Sequence, residues 1–183
     1  MKRLIATFLV MPFLLFLATE AYGQAIGISY ENRSERPTNG IGIHFEKDIS
    51  PLPVISLNLR LHGSLFSEEY NQDFGVGVGV LEVKDRSYEL GLGLYGGANL
   101  GLVAPYAGVG IGLDFFNKEV GGTNIVVAEG SESNFFYYGV MGLRVSVLPF
   151  ISPYFEYRYR GITSSDLMPK ENGTWALGVQ LRF

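Results

Sequence analysis

From residue 24 onward, apolar and polar side chains alternate with a period of two, which is the period of a β-strand. In residues 174–183, Trp175, Leu177, Val179, Leu181 and Phe183 fall on one face, with Thr174, Ala176, Gly178, Gln180 and Arg182 on the other. The same alternation runs through 25–31, 41–46, 54–62, 88–95, 106–115, 137–147 and 153–160. These segments predict an all-β chain of eight strands. The connections between them are of two kinds in turn. Those at 48–53, 99–105 and 148–153 are short and carry proline, whereas those at 32–39, 67–87, 117–134 and 163–173 are longer and polar. An antiparallel up-and-down barrel does this, with tight turns at one end and exposed loops at the other. Residues 74–83 also alternate. As a wall strand paired with 123–129 they would make ten strands. As a hairpin arm above the barrel they leave eight and keep the alternation of turn lengths, which is the reading adopted.

Period two does not say which face is wet, but the residues on the polar face do. Glycines 42, 91, 93, 108, 110, 112, 142 and 178 crowd that face. Glycine weakens a solvent-facing strand, yet small inward residues fit a narrow barrel. The lysines after residue 23 (47, 84, 118 and 170) all sit at strand ends or in connections. Mid-strand, the polar face carries Glu31, Glu46, Glu89, Asp114 and Glu156 beside Arg60, Arg144, Arg158, Arg160 and Arg182. Five acids against five arginines suit a paired, enclosed network, and arginine pairs better than lysine. The polar face is therefore expected to line the lumen and the apolar face to meet lipid. Tyr30, Phe45, Tyr88, Phe115, Tyr137, Phe155, Trp175 and Phe183 lie near strand ends, as an interfacial aromatic girdle does.

Composition agrees. Charged residues make up 17% of the 183-residue chain, aromatics 14%, and there are 24 glycines. Ordinary soluble proteins carry about 25% charged residues. The absence of cysteine excludes a disulfide scaffold. With 14 Lys+Arg against 18 Asp+Glu, no basic nucleic-acid surface is expected. Lys2 and Arg3, the apolar run Leu4 to Ala18, and Ala21-Tyr22-Gly23 predict a secretory signal peptide over residues 1–23, which leaves a barrel domain over 24–183.

Candidate chemistry is sparse. His44 and His62 are the only histidines. With Ser56, Ser64 or an acid they could form the site of a lipid-modifying enzyme, but Gly-x-Ser-x-Gly is absent and both read as lumen residues. Two histidines do not supply the three or more ligands of a zinc site. Gly75-Val-Gly-Val-Gly and Gly108-Val-Gly-Ile-Gly repeat at every second residue and open no helix, so they are strand glycines and not nucleotide loops. No enzyme activity, cofactor or metal is expected. The charged network and Tyr95, Tyr106 and Tyr138 should fill a lumen of this size. The runner-up reading is a small passive pore or ligand carrier. The polar loops, rich in acids such as Glu35, Glu68, Glu69, Asp73, Glu119 and Glu132, remain as the place for an extracellular ligand.

The alternating strands and the ending Gly178-x-x-Leu181-x-Phe183 resemble the small outer-membrane barrels of the OmpA, OmpX and opacity-protein type. The resemblance implies an integral bacterial outer-membrane protein with a structural or surface-interaction role, surrounded by outer-membrane lipid and expected to be a monomer. It implies that Gly178, Leu181 and Phe183 form the signal read by the barrel-assembly machinery. Ala176 departs from the pattern, since the family prefers a polar residue there. No peptidoglycan-binding domain is expected beyond Phe183.

Overall fold

The structure is a computed structural model, and it describes residues 23–49, 55–73, 79–122, 125–163, 165 and 167–183. The expected signal peptide thus lies almost entirely outside the described residues. Eight strands follow one another: β1 (Gln24–Arg33), β2 (Asn39–Asp48), β3 (Ile55–Asp73), β4 (Val80–Ala98), β5 (Val103–Gly122), β6 (Ile125–Val145), β7 (Ile151–Ile162) and β8 (Glu171–Arg182). Each pairs antiparallel with the next, and β1 pairs with β8 from Ala25–Arg182 to Arg33–Thr174. The sheet is therefore a closed barrel with no free edge around its girth. At the seam the Phe183 amide donates to the Gln24 carbonyl at 3.0 Å, so the start of β1 meets the residue that follows β8 at the short-turn end. Gly101 forms the tight β4–β5 turn with φ +82°, a conformation that L side chains rarely adopt.

Polar groups are inside and apolar groups outside. Ile28, Ile43, Val109, Ile111, Met141, Leu177 and Val179 are all exposed, whereas Glu31, Arg60, Asp114, Glu156 and Arg160 are at most 2% exposed. Tyr30, Tyr88, Phe115, Tyr137, Phe155, Trp175 and Phe183 are exposed on the apolar face. Phe45, expected among them, is buried.

Two of the expected loops are strands. The sequence pattern makes residues 67–87 and 117–134 polar connections, but β3 and β4 pair from Ser67–Arg86 to Asp73–Val80. Likewise β5 and β6 pair from Asn117–Ser131 up to Gly122–Ile125. Polar residues occupy both faces of 67–73, so no apolar alternation marks that stretch as strand; main-chain pairing needs none. Residues 80–83 open β4 and 125–129 open β6, so among the described residues the barrel has eight strands and not ten. Residues 74–78 of the alternating segment lie outside the described residues. Strands β3 to β6 run 19 to 21 residues and the other four 10 to 12. A tilted strand crosses a bilayer in about 9–11 residues. Half of the wall therefore stands well above the other half.

Candidate functional site in the lumen and the projecting arms

The lumen holds two linked ion clusters. In the lower one Glu46 and Arg60 are register neighbours on β2 and β3. The Arg60 guanidinium donates to Glu46 at 2.9 and 3.1 Å and, across the barrel, to Glu156 on β7 at 2.7 Å. Arg144 donates to Glu46 at 3.0 Å, and the Tyr106 hydroxyl donates to Glu156 at 2.9 Å. The Arg60 guanidinium lies 4.0 Å from the Tyr95 ring centroid. Arg158 joins this cluster to the next: it pairs with Glu156 at 2.9 Å, with Glu31 at 3.5 Å and with Glu89 at 3.9 Å.

In the upper cluster Arg33 pairs with Glu89 at 2.6 Å and stands over the Phe66 ring. Ser87 accepts from Arg33 and donates to Asp114 at 2.8 Å. Arg160 pairs with Asp114 at 2.6 Å and also with Glu89. Charged groups removed from water are tolerated when paired and hydrogen-bonded in this way.

Nine of the ten charges expected in the lumen are thus buried together. Arg182 is the exception. It is half-exposed, makes no ion pair among the described residues, and lines a cavity of about 100 Å³ at the short-turn end with Gln24, Asp48, Asn58 and Gln180. Arg33 takes its place and restores a set of five carboxylates and five arginines. Arg33 lies in the 32–39 stretch that the sequence pattern makes a connection, although the parity of 25–31 extends to it.

The glycines of the polar face are seats for rings from neighbouring strands. Tyr138 on β6 lies against Gly110 on β5, and Phe136 against Gly112. Tyr106 lies against Gly142, and Tyr154 against Gly178. A methyl group at any of these glycines would fall on the ring. The histidines follow the same rule. His44 and His62 are register partners, yet their rings turn apart. His44 lies on Gly27 of β1 with its Nδ1 3.3 Å from the Tyr154 hydroxyl, and His62 on Gly91 of β4 with its Nδ1 3.4 Å from the Tyr138 hydroxyl. Ser56 and Ser64 are also enclosed in the lumen. Among the described residues no three His, Asp or Glu side chains are grouped to hold a metal.

An apolar layer lies at the arm end of the network. Phe116, two residues beyond Asp114, packs with Phe136, Ile162 and Met168. The β7–β8 connection brings Met168 in. Glu132 holds it by accepting from the Ser165 hydroxyl at 2.7 Å and the Leu167 amide at 3.1 Å.

On the inner face of the arms, Glu68, Asp85 and Lys118 form one row across β3, β4 and β5. Glu68 accepts from the Thr38 amide at 2.8 Å and pairs with Arg36 at 3.3 Å. Tyr70 donates to Asp85 at 3.1 Å. Burial pushes the Asp85 carboxyl above the usual aspartate range, although Lys118 pulls the other way. Above Phe66 on β3, and above Phe136 on β6, the outer strand edges have no strand partner among the described residues.

Of the terminal residues expected to carry the assembly signal, Gly178 and Leu181 sit on β8 and Phe183 directly follows it. Leu181 and Phe183 are exposed on the apolar side, and Gly178 lies beneath Tyr154.

Residues 17–183 match the family model described as the outer membrane protein beta-barrel domain. No curated protein matches the chain. Among solved structures, a major outer membrane protein from Thermus thermophilus superposes with a TM-score of 0.68 at 12% identity, covering 88% of this chain and 100% of that one. Neisserial surface protein A gives 0.59 at 14% identity over 87% and 96%. The outer membrane enzyme PagL gives 0.50 at 12% identity over 87% and 99%. At these identities the likeness is one of fold.

Proposed function

Because the chain belongs to the outer membrane protein beta-barrel domain family, we propose that it is a non-catalytic surface-interaction protein of the bacterial outer membrane. The barrel anchors the chain, the arms of β3 to β6 make the contact, and the lumen carries no traffic. The short turns face the periplasm and the arms the exterior, the orientation usual for such barrels. The observation that carries this reading is the half-crown itself. Four strands continue for roughly ten residues beyond what crossing requires; Lys84 on β4 pairs with Glu69 on β3 at 3.2 Å, and Arg36 of the β1–β2 connection stands over Tyr70 on β3. A rigid projection with unpaired strand edges favours recognition of an extracellular ligand over simple anchoring. The barrel acts as a monomer, and Gly178 and Leu181 on β8, with Phe183 just beyond it, serve the assembly machinery.

The test is adhesion. Cells displaying the chain are compared with cells displaying a version in which residues 70–83 and 119–129 are each replaced by an Asn-Gly turn. Immobilised glycosaminoglycans and extracellular-matrix proteins serve as targets. Binding by the full chain that the shortened one lacks supports the reading. Equal binding by the two, or none above empty cells, overturns it.

A further inference from the structure

We propose that Arg86 anchors a phosphate-bearing lipid headgroup of the outer leaflet on the outer face of the barrel, at a site distinct from the lumen and from the strand edges. On the outward face, Asn32 pairs with Asn39, and Ser67 stands one residue beyond the last β2–β3 pair, Gly40–Phe66. Ser67 then pairs with Arg86, Arg86 with Asn117, and Asn117 with Ser131. These residues make a collar of amides and hydroxyls across six strands. Arg86 is its one cation.

The collar has a defined height. Tyr88, two residues from Arg86 on the same face of β4, is 43% exposed and belongs to the aromatic girdle. Two strand residues span about 7 Å. The headgroup layer on each side of the ~30 Å hydrocarbon core is of that depth. Arg86 therefore reaches into the headgroups while Tyr88 marks the edge of the acyl chains.

The site also has space and an unmatched charge. A groove of about 340 Å³ runs along Arg86, Tyr88, Asn117, Lys118, Glu119 and Ser131; Lys118 belongs to the inward row, where its charge acts on Asp85. The other outward cation nearby, Lys84, is already held by Glu69 and Glu82, whereas Arg86 meets no carboxylate within ion-pair distance among the described residues. A guanidinium offers two parallel N–H donors to a phosphate. Asn117 and Ser131 flank it with further donors, and the Tyr88 ring gives a sugar or acyl stem a flat surface. The row above carries Glu69 and Glu119, so a polyanion extending away from the membrane is disfavoured. A single phosphate at headgroup depth is not.

Native mass spectrometry of the full-length barrel in detergent tests this, with bisphosphorylated lipid A, its dephosphorylated form and inorganic phosphate as probes. The bisphosphorylated lipid should be retained, and retention should fall about tenfold or more in Arg86→Ala and Arg86→Gln, the scale of losing one bidentate charged contact. Lys84→Ala should retain it, and the dephosphorylated lipid should bind the unaltered chain no better than Arg86→Ala binds the intact lipid. A heat-shifted gel band verifies that each variant is folded. Undiminished retention in Arg86→Ala overturns the proposal, as does equal loss in Lys84→Ala, which would mean general charge attraction. Displacement of the lipid by inorganic phosphate overturns it too, because the site would then take a free anion.

Discussion

Arg60 and Glu156 stand 96 positions apart in the chain and meet at 2.7 Å across the lumen. Each is nearly without solvent, and each has a second partner: Glu46 for Arg60 and Arg158 for Glu156. A contact of this kind ties β3 to β7 through the barrel interior, not around its wall.

Removing one member leaves its partners charged and enclosed. Glu156→Ala leaves Arg60 with Glu46 as its one carboxylate and Arg158 with only the longer contacts to Glu31 and Glu89, an excess of buried positive charge, and the expected loss of stability is about 3–5 kcal/mol. Urea unfolding in lipid vesicles, followed by tryptophan fluorescence, should show the shift. A change under about 1 kcal/mol would mean that the network is not stabilised by pairing.

The filled lumen should not conduct. Unaltered protein in planar bilayers is expected to give no steady current. Steady conductance that survives Glu156→Ala with only a change in size would show that the charged groups line a pore and do not close one.

Ring seats give a sharper test of packing. Gly110→Val places a branched side chain where the Tyr138 ring lies, and overpacking of this kind costs about 1–3 kcal/mol. Gly139→Ala, where nothing stands within 4 Å, should leave the unfolding midpoint almost unchanged. Combining Gly110→Val with Tyr138→Ala should recover part of the loss. Equal effects of the two single variants would rule out the seat as the reason for glycine.

The arms should tighten as pH falls. The Asp85 carboxyl is raised by burial, so the folded arm binds a proton more readily than the unfolded one. Its carboxylate therefore opposes arm stability above the raised value, and the opposition fades as pH drops through it. Amide exchange of residues 80–86 should slow, beyond its intrinsic pH dependence, between neutral and mildly acidic pH. Asp85→Asn should remove that dependence. A pH response identical in the variant would assign it to another group.

No lipid modification is expected from the enclosed histidines. Lipid A from cells with and without the protein should have the same mass profile. A lost or added acyl chain that disappears in His62→Ala would establish an enzyme instead.

Strand number, closure and the inward charged face were legible because a membrane wall has one wet and one oily side, and period two records that difference. Where the wall leaves the membrane the difference vanishes. Ser67 to Asp73 are polar on both faces and therefore look like loop, although the backbone keeps its ladder. Arg33 was hidden at that boundary. Periodicity puts the histidines on the correct face but carries no information on ring direction, and only the neighbouring glycines reveal that His44 and His62 turn apart. The role of Met168 and Glu132 was beyond reach because a connection's path over the barrel mouth is set by tertiary packing.

The unequal strand heights give the barrel a compass bearing. Seen from above, one half of the rim is a palisade and the other, at β1, β2, β7 and β8, a low terrace. A molecule sliding along the cell surface meets a wall or a step according to which way the barrel has turned about the membrane normal. Crowded neighbours would then sense its rotation as well as its position, and the lipids that dress its two sides need not be the same.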